Sequence, residues 1–232
     1  MQEHVGKCRK CGMDIRCLDG FLNGVVAAGG ELYCFGCADH SFTIDCADIL
    51  LREYEWRDLD AIHMLTWQPE IHEWLPGWNV GKEQRMDWLS NYEIKENKAF
   101  LHAVAAGGQI GELRLRMVIV LKETDEVIGW CCTGVKEEFP AKGRQIMFAI
   151  SKDHRGKGYT TQAAQGLSDY LFANTDTCEL HAAALLTNEP SNRVIQKSGF
   201  VFSSTITMEG ELYHHYVYGK PDWLRRRQTN LS

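Results

Sequence analysis

No stretch of this chain approaches eighteen consecutive apolar residues, so no membrane-spanning helix is predicted. The opening "MQEHVGKCRKCG" has no apolar core of the kind a secretory leader needs, which makes a cytoplasmic protein the expectation. An excess of positive charge is also missing. The chain carries 25 Lys and Arg against 31 Asp and Glu, a formal net charge of −6. A dedicated nucleic-acid binder should show a basic face, so this balance argues against that class. It mildly favours a cationic substrate. There is no internal repeat and no low-complexity tract. Two phosphate motifs are absent as well. G-x-x-x-x-G-K-[ST] does not occur, and "GKGYT" fails G-x-G-x-x-G because Thr161 stands where the third glycine belongs.

What is present is a globular composition, 44% hydrophobic and 24% charged over 232 residues, enough for one ordinary domain with an addition or for two modest ones. The nine cysteines are unevenly spread. Six lie between Cys8 and Cys46, and only Cys131, Cys132 and Cys178 lie beyond. In a reducing compartment these are thiols or metal ligands rather than a disulfide framework. Cys8-x-x-Cys11 and Cys34-x-x-Cys37 form two knuckles, and four thiolates brought together suit a tetrahedral structural Zn²⁺, with iron as the rival metal. Gly12 after the first pair suits a tight turn. Four thiolates leave no open coordination position, so this metal is expected to be structural. Residues 1–50 are therefore predicted to form a zinc-ribbon-like module, and residues 51–232 the main domain. The module carries four basic residues (Lys7, Arg9, Lys10, Arg16) against seven acidic ones, a poor match to nucleic acid. A protein partner, a homodimer contact or a lid are the roles it leaves open. Cys17 and Cys46 are read as buried small hydrophobes.

The rest of the chain reads as helix, helix, three strands, helix, strand, helix and two strands, a mixed α/β domain whose first strands are antiparallel. "DLDAIHMLT" places Leu59, Ile62 and Leu65 on one helical face. "EQRMDWLSNY" pairs Met86 with Leu89. "LRLRMVIVLKE" and "EVIGWCCTGV" read as a hairpin. "QIMFAIS" reads as a strand buried on both faces. "VFSSTITMEGELYHHYVYG" reads as a closing hairpin around Glu209-Gly210. The last basic cluster, "LRRRQ", is expected to be a solvated tail; it carries the lesser reading of a factor associated with tRNA or the ribosome.

Within that order, "SKDHRGKGYTTQAAQGL" joins a strand to a helix through a loop with two glycines and three flanking basic residues. A helix N-terminus offers unpaired N–H groups and a partial positive charge, and glycine lets a backbone approach an anion. A phosphate or pyrophosphate site is the prediction.

"RGKGYT" resembles the R/Q-x-x-G-x-G/A loop of the GNAT superfamily of acetyl-CoA-dependent N-acetyltransferases, with Arg155 first, Gly158 fourth and Thr160 where Gly or Ala is usual. "QPEIHEWLPGW", "EQRMDWLS", "KETDEVIGW" and "NEPSNRVIQKSGF" are similar to segments of its branch of ribosomal-protein N-terminal acetyltransferases. The last matches N-x-x-S-x-x-V-x-x-K-x-G-F at Asn188, Ser191, Val194, Lys197, Gly199 and Phe200. The resemblance covers roughly residues 54 to 219 and implies the GNAT α/β fold. It further implies that acetyl-CoA lies between two splayed strands. Phe148, Ala149 and Ile150 would meet the pantetheine arm, and Arg155, Gly156, Lys157, Gly158, Tyr159 and Thr160 the pyrophosphate. Asn188 would contact the pantetheine, and Ser191 the cofactor or the departing thiolate. The acetyl group would pass directly to a primary amine, on a protein N-terminus or a small molecule.

Such a step needs a neutral amine. At pH 7 an α-amino group is roughly 10–20% neutral and a lysine well below 0.1%. Relatives often place a glutamate where Gln145 stands, and Gln145 cannot act as a base. Glu137 and Glu138, His102, His181, His214 and His215 are the candidates that remain, and Tyr213 and Tyr216 could donate to the thiolate. The lack of an obvious base leaves an alternative from another class: a non-catalytic acyl-CoA sensor or scaffold whose zinc module contacts a protein.

Overall fold

The computed structural model describes residues 2–9, 12, 14–18, 21–22, 24–26, 30–34, 42–139 and 143–229. It divides into two compact units, Met1–Phe42 and Thr43–Ser232. The division falls eight residues before the predicted end of the cysteine-rich module, so Cys46 belongs to the larger unit.

In the small unit, β1 (Gln2–Lys7), β2 (Asp14–Leu18) and β3 (Phe21–Leu22) form an antiparallel sheet, and β4 (Gly24–Val26) pairs with β5 (Leu32–Cys34) as a hairpin. Its described core is small: Cys8 and Ile15 are buried, with Leu22, Leu32 and Tyr33 packed against them.

The larger unit begins with two strands that the sequence pattern did not reveal, β6 (Thr43–Asp45) and β7 (Ile49–Glu53). There follow α1 (Leu59–Thr66), α2 (Pro69–His72), α3 (Lys82–Trp88), a π-helical turn (Leu89–Glu93) and α4 (Ile94–Ala105). Then come β8 (Leu115–Leu121), β9 (Glu126–Val135) and β10 (Arg144–Ile150), α5 (Tyr159–Asn174), β11 (Glu179–Leu185) and α6 (Glu189–Lys197). The hairpin β12 (Val201–Met208) and β13 (Glu211–Gly219) and a last helix, α7 (Lys220–Thr229), complete it. The eight strands lie in one sheet in the order β12-β13-β11-β10-β9-β8-β7-β6, a mixed α/β architecture.

Both faces of this sheet are covered. On one, Ile62 and Leu65 of α1 and Leu89 pack on Val118, Val120 and Trp130. On α5, Ala163, Ala164, Leu167 and Leu171 are all essentially inaccessible. Burying a leucine side chain contributes ~1.5–3 kcal/mol, so these stripes dominate the local energetics.

Two expectations change and a third is extended. Met86 is 44% exposed and Leu89 fully buried; the inward position on α3 belongs to Arg85, which is 1% exposed and lies 2.5 Å from Glu93 Oε2. A buried ion pair therefore takes the place of an apolar contact. The basic tail, Leu224 to Gln228, is exposed as expected, but it lies on a helix that the sequence reading lacked, α7, anchored by buried Trp223, whose Nε1 donates to Asp169 at 2.7 Å. β10 is not buried on both faces either: beyond Ile146 its residues are half-buried, because its neighbour moves away.

Candidate active site

β10 pairs with β9 along seven residues, from Arg144↔Val135 to Ile150↔Gly129. With β11, its parallel neighbour on the other side, it makes one pair, Gln145↔His181. Past that point the two strands separate, and the backbone groups along that edge of Phe148, Ala149 and Ile150 are left without strand partners. A cavity of 400 Å³ fills the gap. Its walls include Phe148, Ala149, Ile150, Arg155, Gly156, Thr160, Asn188 and Ser191, eight of the residues that the family motifs mark. Ala183 to Leu185 of β11 form the facing edge.

The glycine loop runs from this cavity to α5. Gly156 and Gly158 have φ of 76° and 83°, in the left-handed region that side chains other than glycine, asparagine and aspartate avoid. Gly158 is the N-cap of α5, and the first intrahelical bond runs from Gln162 N–H to Gly158 C=O at 3.1 Å. The amides of Tyr159, Thr160 and Thr161 therefore have no intrahelical acceptor. A second cavity of 240 Å³ lies there, walled by Gly156, Gly158, Tyr159 and Thr160 together with His154, Arg193 and Lys197. Lys157 is exposed and walls neither cavity. Helix end and basic side chains together suit a phosphorylated ligand. Nothing in the sequence assigned Arg193 and Lys197 to this role, although Lys197 belongs to the motif that the sequence matched.

Asn188 caps α6, its Oδ1 accepting from Ser191 N–H at 3.2 Å. Pro190, Ser191 and Val194 of that helix line the cavity.

The half of the cavity away from the loop is aromatic and apolar, with Trp74, Trp78, Phe139, Met147, Met208 and Tyr213. Trp78 stacks on fully buried Trp130, centroids 5.6 Å apart and rings 5° from parallel. Phe139 stacks on His181 and His215 at 5.4 and 5.2 Å. Those two histidines are joined at 2.9 Å, Nδ1 of one to Nε2 of the other, and burial pushes both below the ordinary imidazole range. Glu179 lies 3.2 Å from His181 Nε2, and Ser204 Oγ 3.5 Å from His215 Nδ1. They are structural: neither borders the cavity. His214 bonds Asn192 at 3.2 Å and Tyr216 donates to the same oxygen at 2.8 Å, while His102 is exposed on α4.

Gln145 lines the cavity, but Glu137 and Glu138 do not. Their loop turns Phe139 inward, and Glu138 pairs with Lys136 at 3.5 Å. The carboxylates that do line it are Glu70 and Glu209, which no sequence motif marks. Glu70 is held below the usual range, first by its own backbone N–H and then by Lys152 against the opposing cost of burial, so it is a weak base. Tyr213 is raised by burial and then by Glu209 and Glu211, so its hydroxyl keeps its proton.

Three hydrogen bonds tie the start of α2 to the loop after β10. Gln68 Nε2 donates to Ser151 Oγ, and Lys152 N–H donates to Gln68 Oε1, both at 3.1 Å. Arg155 Nη2 donates to the Glu70 carbonyl at 2.6 Å.

Among the described residues no three His, Cys, Asp or Glu side chains gather as a metal site. Of the predicted ligands, Cys8 is buried, whereas Cys11, Cys37 and the side chain of Cys34 lie outside the described residues.

Residues 48–201 match the acetyltransferase (GNAT) domain. The chain belongs to this family and is an enzyme of the N-acetyltransferase class. It is 26% identical over 155 residues to the uncharacterized N-acetyltransferase p20 of Bacillus licheniformis, covering 66% of this chain and 78% of that one. Its fold is similar to that of AAC(6′)-Ib in a complex with acetyl-CoA, with a TM-score of 0.63, 18% identity and coverage of 78% and 98%. It is likewise similar to the ribosomal-protein-S5-alanine acetyltransferase from Vibrio fischeri, with a TM-score of 0.61, 18% identity and coverage of 78% and 98%.

Proposed function

We propose that this chain transfers acetyl from acetyl-CoA directly to a primary amine. The observation that carries this reading is the single β10–β11 pair, which opens a 400 Å³ gap leading to the glycine loop at the start of α5. In that gap the backbone of Phe148 to Ile150 would hold the pantetheine arm. The amides of residues 158–161, with Arg193 and Lys197, would hold phosphates. Reaction forms an amide N–C bond and breaks the thioester C–S bond. The amine gives up one proton and the sulfur receives one. Ser191 and Tyr213 both line the cavity and carry hydroxyls that can supply the latter. Among the described residues no histidine lines the cavity to take the former, and position 145 is a glutamine. An amine titrating near 8 needs no strong base, since a sizeable neutral fraction already exists at pH 7 and water can carry the proton away.

Isothermal titration of acetyl-CoA, with ADP as control, tests the reading. Micromolar binding that exceeds the affinity for ADP is expected. Gly158→Asp should weaken it at least tenfold, since it puts a carboxylate against the pyrophosphate; the left-handed φ of 83° tolerates aspartate better than most residues, so the fold should survive. Equal affinities for variant and parent would remove the cofactor assignment.

The same proposal extends to the small unit, where Cys8, Cys11, Cys34 and Cys37 would hold one structural Zn²⁺. Three features fit. Cys8 is 2% exposed, Gly12 turns at φ 74° with its N–H on the Cys8 carbonyl at 2.9 Å, and Arg9 N–H on the Leu32 carbonyl at 2.8 Å sets the first knuckle beside the strand that leads to the second. Bound, the metal would supply cross-linking stability and no chemistry.

A further inference from the structure

The carboxylate at the rim of the aromatic half sits in an unusual backbone. Glu209 and Gly210 join β12 to β13 as a two-residue turn, with φ of 53° and 84°. Positive φ at both central residues marks a type I′ turn, whose first position favours Asn, Asp or Gly. Asp125 is the other non-glycine residue at positive φ among those described, and its type is one the region accepts. A glutamate there costs ~1–3 kcal/mol, an outlier of the kind that points to use of the side chain.

Four charged side chains line the cavity, Glu70, Lys136, Arg155 and Glu209, and Arg155 donates to the Glu70 carbonyl. Glu70 has Lys152 beside it at 3.6 Å, and Lys136 has Glu138. Among the described residues no cation pairs with Glu209. The cavity it lines is also walled by Trp74, Trp78, Phe139 and Tyr213; Trp78 and Phe139 are fixed by stacking on buried neighbours, and Tyr213 feels the charge of Glu209.

We infer that the acceptor is an amine bearing one positive charge on an aromatic or aliphatic body. This rests on the acetyl-transfer reading and narrows it. Glu209 draws the ammonium to the rim, and the rings receive the apolar part. Glu209 favours the charged amine at the rim, so the proton is lost as the nitrogen leaves the carboxylate for the thioester, where an apolar surrounding disfavours charge. A polyamine or an aminoglycoside brings several ammonium groups, and the one unpaired carboxylate leaves the others to be desolvated without partners. An arylalkylamine and a peptide N-terminus with an apolar first residue both carry one charge on such a body, and the peptide N-terminus, the weaker base, has the larger neutral fraction at pH 7.

The test measures thiol release from acetyl-CoA with the full-length protein and four acceptors: tryptamine, a tetrapeptide amide beginning with Phe, spermidine and kanamycin. At least tenfold higher kcat/KM is expected for one of the first two over both polycations, and their order tells the small amine from the peptide. Glu209→Gln should raise KM about fivefold at low salt with kcat unchanged, as suits one exposed charge contact. Trp74→Ala should lower kcat/KM for the preferred acceptor about tenfold. Preference for spermidine or kanamycin, or no turnover of either monoamine while calorimetry shows acetyl-CoA bound, overturns the inference alone. No acetyl-CoA binding at all overturns the acetyl-transfer reading with it.

Discussion

At the scale of single residues, the buried pair His181 and His215 shows how a titratable side chain can be structural and still leave a signature. Glu179 beside His181 Nε2 favours a proton on that nitrogen, so His181 Nδ1 accepts from His215 Nε2–H, and His215 Nδ1 is left to face Ser204. Burial lowers both pKa values, and Glu179 only partly opposes it. The sign follows from linkage. The unfolded chain binds protons near pH 6.5 and the folded pair resists them, so stability is full above 6.5 and is lost as pH falls toward the lowered folded values. Thermal melts at pH 7.5 and 5.5 should show a loss on acidification that shrinks when both residues are replaced by Gln. An undiminished loss in that variant would place the effect on other groups. In the sequence these histidines look like candidate bases, because spacing along a strand does not tell which face meets a cavity and which meets another strand's histidine.

At the scale of elements, α2 and the loop after β10 behave as one piece because Gln68 bonds both Ser151 and Lys152. Each neutral hydrogen bond contributes ~0.5–1.5 kcal/mol, so Gln68→Ala should destabilise the unit by about 1–2 kcal/mol. It should also weaken acetyl-CoA binding severalfold, since the loop loses its brace. Melting and calorimetry read the two effects, and intact cofactor affinity would show that the loop holds its shape unaided. The glycine loop itself is legible in the amino-acid order, since strand, glycines and helix follow one another in the chain. The aromatic half is not. Trp74 and Trp78, Phe139 and Tyr213 come from three separate segments, and no local pattern brings them together. Met86 and Arg85 show the same limit: periodicity places a face, but an ion pair with Glu93 decided which residue went inside.

At the scale of the whole molecule, two Cys-x-x-Cys pairs in the small unit, the first with Cys8 buried, are the chemical case for a metal there. Zinc binding in such modules is worth ~10–16 kcal/mol at pH 7. Elemental analysis should find one zinc per chain, and Cys11→Ser should lose it and loosen residues 1–42 toward protease while residues 43–229 keep their melting transition. Retention of one zinc in the variant would point to other ligands. The amino-acid sequence by itself determined the order of the elements from β8 to β13, the glycine loop and the family motif, because each depends on neighbours within a few residues. Only the tertiary structure decided where β10 and β11 part, that residues 43–53 complete the main sheet, and that Glu209 rather than Glu137 or Glu138 stands at the cavity. Those facts depend on which distant segments share a sheet, and on which way a loop turns once Phe139 has found its two histidines.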